Sequence, residues 1–244
     1  MANGKIAMKL SDGDRLIRVR TCTEEDDVLL ATRRGMCIRF PVSDVRLFTG
    51  RTSTGVRGIR LDQDDDVIWM SMLRHVEIET ETRDAYLRQA NALRRADGDG
   101  DDANTDGDIP ALPSEQFDSL ASQEQFVLAA TAKGFGKRTS AYDYRTTKRG
   151  GKGIVNVDTE KRDDTVVATF PVEPTDQIML VTDGGQVIRC PVDDVRIASR
   201  RTQGVNLFDV EGDAEVVSVA RLRDVAGEDD EDAAKGSDAA PATE

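Results

Sequence analysis

Histidine occurs once in this chain, at His75, and cysteine three times, at Cys22, Cys37 and Cys190, with no Cys-x-x-Cys pair. That poverty excludes the usual zinc frameworks and a disulfide scaffold, and it fits a reducing compartment. Aromatic residues make up 5% of the chain and apolar residues 38%, against 32% charged. Part of the sequence is therefore expected to lie outside any core. No apolar run approaches the length of a bilayer span, and the opening MANGKIAMKL has no signal-peptide h-region. The expectation is a cytoplasmic protein with no membrane partner. Catalytic furniture is equally sparse. No GxxxxGK[ST] nucleotide loop is present, and no grouping of Ser, His, Cys and carboxylates suggests nucleophilic or acid–base chemistry.

The net charge of −13 argues against an anionic partner until it is divided along the chain. Residues 74–125 hold 13 acidic and 5 basic side chains, and residues 224–244 hold 8 and 1. What remains has 27 basic against 25 acidic residues, a mildly basic body with two acidic segments attached. Those segments are expected to compete with an anionic ligand for the basic body.

The body is repetitive. Three stretches align: Val28–Leu73, Val127–Val172 and Ile178–Leu222. Gly134 to Gly185 is 51 residues, Gly153 to Gly204 is again 51, and Gly35 to Gly134 is 99, one repeat plus the acidic insertion. A half-unit opens the chain, setting Gly4 and Leu10 against Gly55 and Leu61. Each unit reads as four short strands. An apolar run meets a turn at Arg34-Gly35, Lys133-Gly134 or Gly184-Gly185, and a second run follows. Next come a basic corner, a strand after Gly55, Gly153 or Gly204, an acidic turn (Asp64–Asp66, Asp163–Asp164, Gly212–Asp213) and a last apolar strand. The fold class is all-β, with about three and a half blade-like, four-stranded units stacked as in a propeller or pinwheel. The boundaries predicted are a half blade and a full blade over 1–73, an acidic inserted loop with a short helix over 74–125, two blades over 126–222, and a disordered acidic tail over 223–244.

The corners carry the chemistry. Arg39, Arg138 and Arg189 recur, as do Asp44, Asp143 and Asp194, each followed two residues later by Arg46, Arg145 or Arg196. The Asp-x-Arg pair is expected to be a structural salt bridge. After it come Arg51-Thr-Ser-Thr-Gly55, Arg149-Gly150-Gly151-Lys152-Gly153 and Arg200-Arg201-Thr-Gln-Gly204. Glycines admit a close approach to the backbone, and Arg and Lys neutralise phosphate. The predicted duplex-DNA contacts are Arg51, Arg57, Lys137, Arg138, Lys148, Arg149, Gly150, Gly151, Lys152, Gly153, Arg200 and Arg201, with Lys148–Gly153 the densest. No catalytic, cofactor-binding or metal-binding residue is predicted. Asp102–Asp108 begins like a calcium loop, but the twelfth position is Pro113 where the bidentate Glu belongs, and Pro110 and Pro113 disfavour an exiting helix. Tyr142 and Tyr144 alternate in a strand-like segment and are read as packing or surface groups. Trp69 is read as packing, and His75 as exposed.

The segments RTSTGVRGIRL, KRGGKGIVNV, RRTQGVNL and DGGQVIRCPVDDVRI resemble the C-terminal domain of the DNA gyrase A subunit. The resemblance implies a β-pinwheel around whose rim DNA bends, in support of ATP-dependent negative supercoiling. It also implies partners in an A2B2 assembly, namely the gyrase B subunit together with the rest of the gyrase A subunit. A cytoplasmic, nucleoid-associated bacterial location follows. ATP, Mg and the cleaving tyrosine would act elsewhere in the enzyme. The family's signature box, Gln-Arg-Arg-Gly-Gly-Lys-Gly, is matched incompletely by Thr147–Gly153, which has Thr for Gln and Lys148 for the first Arg and falls in a later blade. The resemblance thus places the box upstream of Met1 and makes this chain the back part of the pinwheel. Two other readings stay open: the equivalent domain of the topoisomerase IV A subunit, and a protein-interaction propeller of the kelch kind.

Overall fold

A computed structural model describes residues 4–96 and 110–223. The calcium-loop look-alike Asp102–Asp108 and the acidic tail lie outside these residues. Three antiparallel sheets follow one another in sequence. The first is built on β1 (Asp26–Thr32), β2 (Met36–Pro41) and β3 (Val67–Arg74). Two helices, α1 (Thr80–Ala96) and α2 (Ser114–Gln123), intervene. The second sheet is built on β4 (Phe126–Thr131), β5 (Phe135–Ser140) and β7 (Val166–Val172), with the two-residue β6 (Ile154–Val155) inside that repeat. The third is built on β8 (Gln177–Thr182), β9 (Val187–Pro191) and β11 (Val216–Leu222), with β10 (Val205–Asn206) inside it.

Each hairpin turns where the sequence supplies glycine, and φ is 82° at Gly35, 81° at Gly134 and 84° at Gly185. The acidic turns clamp the first two of those hairpins. The Arg34 amide donates to Asp65 at 3.0 Å, and the Lys133 amide to Asp164 at 3.1 Å.

The fourth strand of each blade differs from the sequence expectation. The strand order is β3-β1-β2-β6 in the first sheet and β10-β5-β4-β7 in the second, so β6 and β10 each complete the blade before their own. β6 pairs Ile154 with Cys37 and Val155 with Met36, and β10 pairs Val205 with Gly136 and Asn206 with Phe135. The third sheet has three strands among the described residues, and the segment after Gly55 forms none. Nor does the opening half-unit form a strand between residues 4 and 25. It crosses the first blade, with the Lys9 amide donating to Ser53 at 3.0 Å and the Arg18 guanidinium lying over Trp69 at 3.7 Å.

Exchange is possible because the corner glycines have no Cβ. At Gly153, φ is +79°, and a Cβ built there would fall well under 3.0 Å from the Cys37 carbonyl. At Gly204 the same atom would stand 2.5 Å from the Gly136 carbonyl. Apolar side chains fill the space between sheets. Leu29, Cys37, Leu73, Val127 and Tyr144 join the first two blades, and Leu128, Phe170, Ile178, Leu180 and Val192 join the second to the third. Each fully buried Leu or Ile adds about 1.5–3 kcal/mol. Trp69 belongs to this packing, 5.3 Å from the Phe170 ring.

Among the described residues the insertion carries two helices, α1 and α2, where one short helix is expected. Tyr86 of α1 donates to Glu124 at 2.9 Å, meets Tyr142 edge-on at 5.3 Å, and Tyr142 in turn donates to the Leu120 carbonyl. Arg94 pairs with Glu124 at 2.5 Å. Pro113 does not prevent a helix: it is the N-cap of α2, a position that needs no amide hydrogen.

Cys37 is fully buried, and burial pushes its thiol up to about 12, whereas Cys22 is exposed. Iodoacetamide at mildly alkaline pH is therefore expected to alkylate Cys22 at once and Cys37 only after denaturant is added. Peptide mapping of the alkylated sites checks this, and rapid labelling of Cys37 in the native protein would contradict a closed joint between the first two blades.

Candidate nucleic-acid interface

The predicted contact residues separate into two groups. Lys137 and Arg138 lie on β5, whose burial runs unbroken from Gly136 to Ser140. Lys137 is 0% exposed, and its Nζ donates to the carbonyls of Ser199 (2.8 Å), Arg200 (2.5 Å) and Thr202 (3.0 Å). Arg138 is 3% exposed, with Nε on the Val195 carbonyl and the terminal nitrogens on Asp193. Both grip the next repeat from inside, so neither reaches a phosphate. That part of the expected contact set is corrected by burial.

Arg149 and Arg200 have a double task. Arg149 donates to the carbonyls of Asp44 (2.9 Å) and Arg57 (3.2 Å), and Arg200 to those of Asp143 (3.2 Å) and Val155. Each corner arginine thus braces the corner before it. Asp44 and Asp143 take part through their carbonyls. No ion pair joins Asp44 to Arg46 or Asp143 to Arg145 among the described residues, contrary to the salt bridge expected. Burial raises the Asp143 carboxyl above its ordinary value, with Arg200 and Lys137 opposing that shift.

Gly153 serves the joint between blades. Gly150 and Gly151 tie adjacent corners together: the Gly150 amide donates to Gly58 at 2.5 Å, and the Gly151 carbonyl accepts from Arg60 at 2.8 Å. This leaves Arg51, Arg57, Lys148 and Arg201 exposed, with no carboxylate partner among the described residues. Lys152 is also exposed, 3.4 Å from an equally exposed Asp62. Such a pair is weak enough to yield to a stronger anion.

Arg145, expected chiefly as a salt-bridge partner, is exposed and lines a cleft of about 500 Å³ with Arg200, Arg201, Asp84, Asp143 and Arg83 of α1, which pairs with Asp84 at 2.7 Å. Arg83 is not among the predicted contacts. Arg83 is hidden by the acidic total of the insertion, although the spacing of Leu87, Ala90 and Leu93 marks the helix that carries it. His75 is exposed, as expected, with Nδ1 2.9 Å from Asp27, and Tyr142 and Tyr144 are buried packing groups. Among the described residues no helix is long and apolar enough to cross a membrane.

Comparison with known proteins agrees with this geometry. The DNA gyrase A subunit of Granulibacter bethesdensis is 48% identical over 98% of this chain. The chain spans about a quarter of the length of the curated relatives it matches. Among solved structures, a DNA gyrase A C-terminal domain superposes with a TM-score of 0.63 at 20% identity, covering 90% of this chain and 58% of that one. The C-terminal domain of DNA topoisomerase IV gives the same TM-score at 18% identity, covering 88% and 52%. The fold is thus common to both enzymes, and the sequence relatives favour gyrase. The family described as DNA gyrase C-terminal domain, beta-propeller, matches residues 1–23, 26–74, 125–173 and 176–223, and the chain belongs to that family.

Proposed function

We propose that this chain binds duplex DNA through its phosphates along the row of blade corners and bends it, as the DNA-wrapping part of a gyrase A subunit. One observation carries the reading. Neighbouring corners are hydrogen-bonded into a continuous strip, from Gly58 and Arg60 to Gly150 and Gly151, on which Arg57, Lys148 and Lys152 stand exposed. Arg201 continues the exposed cations on the next corner. Separate solvated cations would each add little. Cations on a rigid strip engage successive phosphates together without first paying to be ordered.

Contacts of this kind position DNA and read little of its sequence, so preference is expected to follow bendability. Smoothly bending a site of 20–30 base pairs costs about 1–6 kcal/mol, which the distributed ion contacts must offset. In the whole enzyme the bend would present a DNA segment with fixed handedness for ATP-dependent negative supercoiling. The cleaving tyrosine, ATP and Mg would act in gyrase B or in the remainder of the gyrase A chain, within a cytoplasmic A2B2 assembly.

The test is duplex binding over a salt series. Replacing Arg57, Lys148, Lys152 and Arg201 together with alanine is expected to weaken binding across all sequences. It should also reduce the slope of log K against log salt by about 1 for each phosphate no longer engaged. An unchanged slope would place the DNA elsewhere, and salt-insensitive or absent binding would favour a protein partner. Ligation of relaxed circles with the chain present reads handedness, as a change in linking number.

A further inference from the structure

Arg149 spans the first and second corners through the Asp44 and Arg57 carbonyls, and Arg200 spans the second and third through those of Asp143 and Val155. Beside Arg200 lies the cleft of about 500 Å³, which Met36, Gly153, Ile154 and Val155 also line. Its remaining wall comes from the insertion, through Arg83, Asp84 and Leu87 of α1. That wall is fastened to the second blade. Tyr86 of α1 meets Tyr142 edge-on at 5.3 Å, and Tyr142 donates to the Leu120 carbonyl of α2 at 3.0 Å. The cleft therefore has its shape before any ligand arrives.

The wall is cationic although the insertion as a whole is acidic. Arg83, Arg145, Arg200 and Arg201 line the cleft, against the carboxylates of Asp84 and Asp143 alone. Arg200 is committed to its two carbonyls. Arg83 places Nε and one terminal nitrogen on a single oxygen of Asp84, at 3.0 and 2.7 Å. The Asp84 side chain is 43% exposed, so a stronger anion can displace it from the pair. Arg145 and Arg201 are exposed and make no hydrogen bond or ion pair among the described residues. Arg83 and Arg145 also line a second cleft, of about 360 Å³, on the side of Arg39 and His75. Bordering both clefts, the two guanidinium groups stand together on the ridge between them.

We infer that the insertion is part of the DNA track, Arg83 and Arg145 together holding a backbone phosphate where the duplex passes from the second corner to the third. The inference rests on the corner strip being the DNA path. Position selects the ligand. The cleft opens beside Arg201, the exposed cation that continues the strip, so an anion entering it is continuous with one bound along the corners. Chemistry agrees, because guanidinium groups match phosphate oxygens in geometry as well as charge. A cleft of this size admits the backbone of one strand and leaves the rest of the duplex on the strip. The corners fix the DNA along its length, and α1 becomes a side wall that fixes it laterally.

Arginine modification with p-hydroxyphenylglyoxal, mapped by mass spectrometry, tests this on the unaltered chain. Duplex DNA is expected to slow the reaction at Arg83 and Arg145 as it does at Arg57 and Arg201. Salt titration gives a second readout. Arg83→Gln combined with Arg145→Gln is expected to lower the slope of log K against log salt by about 1, the count for one phosphate. Arg83→Lys combined with Arg145→Lys keeps both charges and is expected to keep the slope. DNA that protects Arg57 and Arg201 but leaves Arg83 and Arg145 fully reactive overturns the inference and leaves the strip standing. An unchanged slope in the glutamine pair does the same. A lysine pair that loses the slope as the glutamine pair does would make the two arginines structural, which also overturns it. DNA that protects none of the four removes the strip, and the inference with it.

Discussion

Replacing Lys137 with methionine is expected to destabilise the chain by about 3 kcal/mol or more, with almost no direct effect on DNA contacts. Lys137 has no exposed surface, and its Nζ satisfies carbonyls of Ser199, Arg200 and Thr202 in the corner of the next repeat. Methionine fills most of the volume but donates nothing, so buried carbonyls lose their partner and bear the cost of desolvation, about 1–3 kcal/mol each where water cannot enter. Urea unfolding of Lys137→Met should show a lower midpoint with an unchanged m-value. Lys148→Met is the control. Its side chain is exposed on the rim, and its effect on stability is expected to stay within about 0.5 kcal/mol. The salt dependence of DNA binding should invert the order, with Lys148→Met lowering the slope and folded Lys137→Met leaving it unchanged. Equal stability of the two variants would mean that Lys137 is not the internal clamp its contacts indicate.

The same pair shows where the sequence is legible and where it is not. Period, turn glycines and the divided charge are local properties, and they suffice for an all-β repeat with basic corners. The exposure of Lys137 is not local. The run Gly-Lys-Arg-Thr-Ser after Phe135 reads as solvated, yet the strand is covered on both faces, by its own blade on one side and the Arg196–Thr202 corner on the other. A lysine there reads as surface until the neighbour is known. Strand exchange is hidden for a related reason: Ile154–Val155 has the composition of a strand, but nothing in those residues says which sheet it joins. The glycine before it does carry a trace. Its recurrence at Gly55, Gly153 and Gly204 suggests room for a phosphate, whereas at Gly153 and Gly204 the room is taken by a carbonyl of the preceding blade. In the insertion α1 is legible in the Leu87, Ala90 and Leu93 spacing, whereas α2 is short and shows itself only in the packing of Leu120 against Tyr86 and Ala90.

Alanine at Gly153 and at Gly150 should separate the two meanings of a corner glycine. Both residues have positive φ, +79° and +81°, so a Cβ costs each about 1–2 kcal/mol in backbone strain. The surroundings then differ. Beside Gly150 the nearest atom is the Arg57 carbonyl oxygen at 3.6 Å, an ordinary contact, whereas at Gly153 the Cys37 carbonyl stands where the Cβ must go. Gly150→Ala is therefore expected to lose only the strain cost and keep the exchanged strand. In Gly153→Ala the strand β6 must lift from β2, which breaks the Cys37–Ile154 pairing and uncovers the Cys37 thiol at the centre of the first joint. The expected loss is about 3 kcal/mol or more, in the range reached by overpacking added to strain. Two measurements distinguish this from general weakening. Urea unfolding gives the difference between the variants, and alkylation of native Cys37 should accelerate in Gly153→Ala while staying slow in Gly150→Ala. If both glycines tolerated alanine equally and Cys37 stayed protected, the close carbonyl would not be what fixes glycine at that corner.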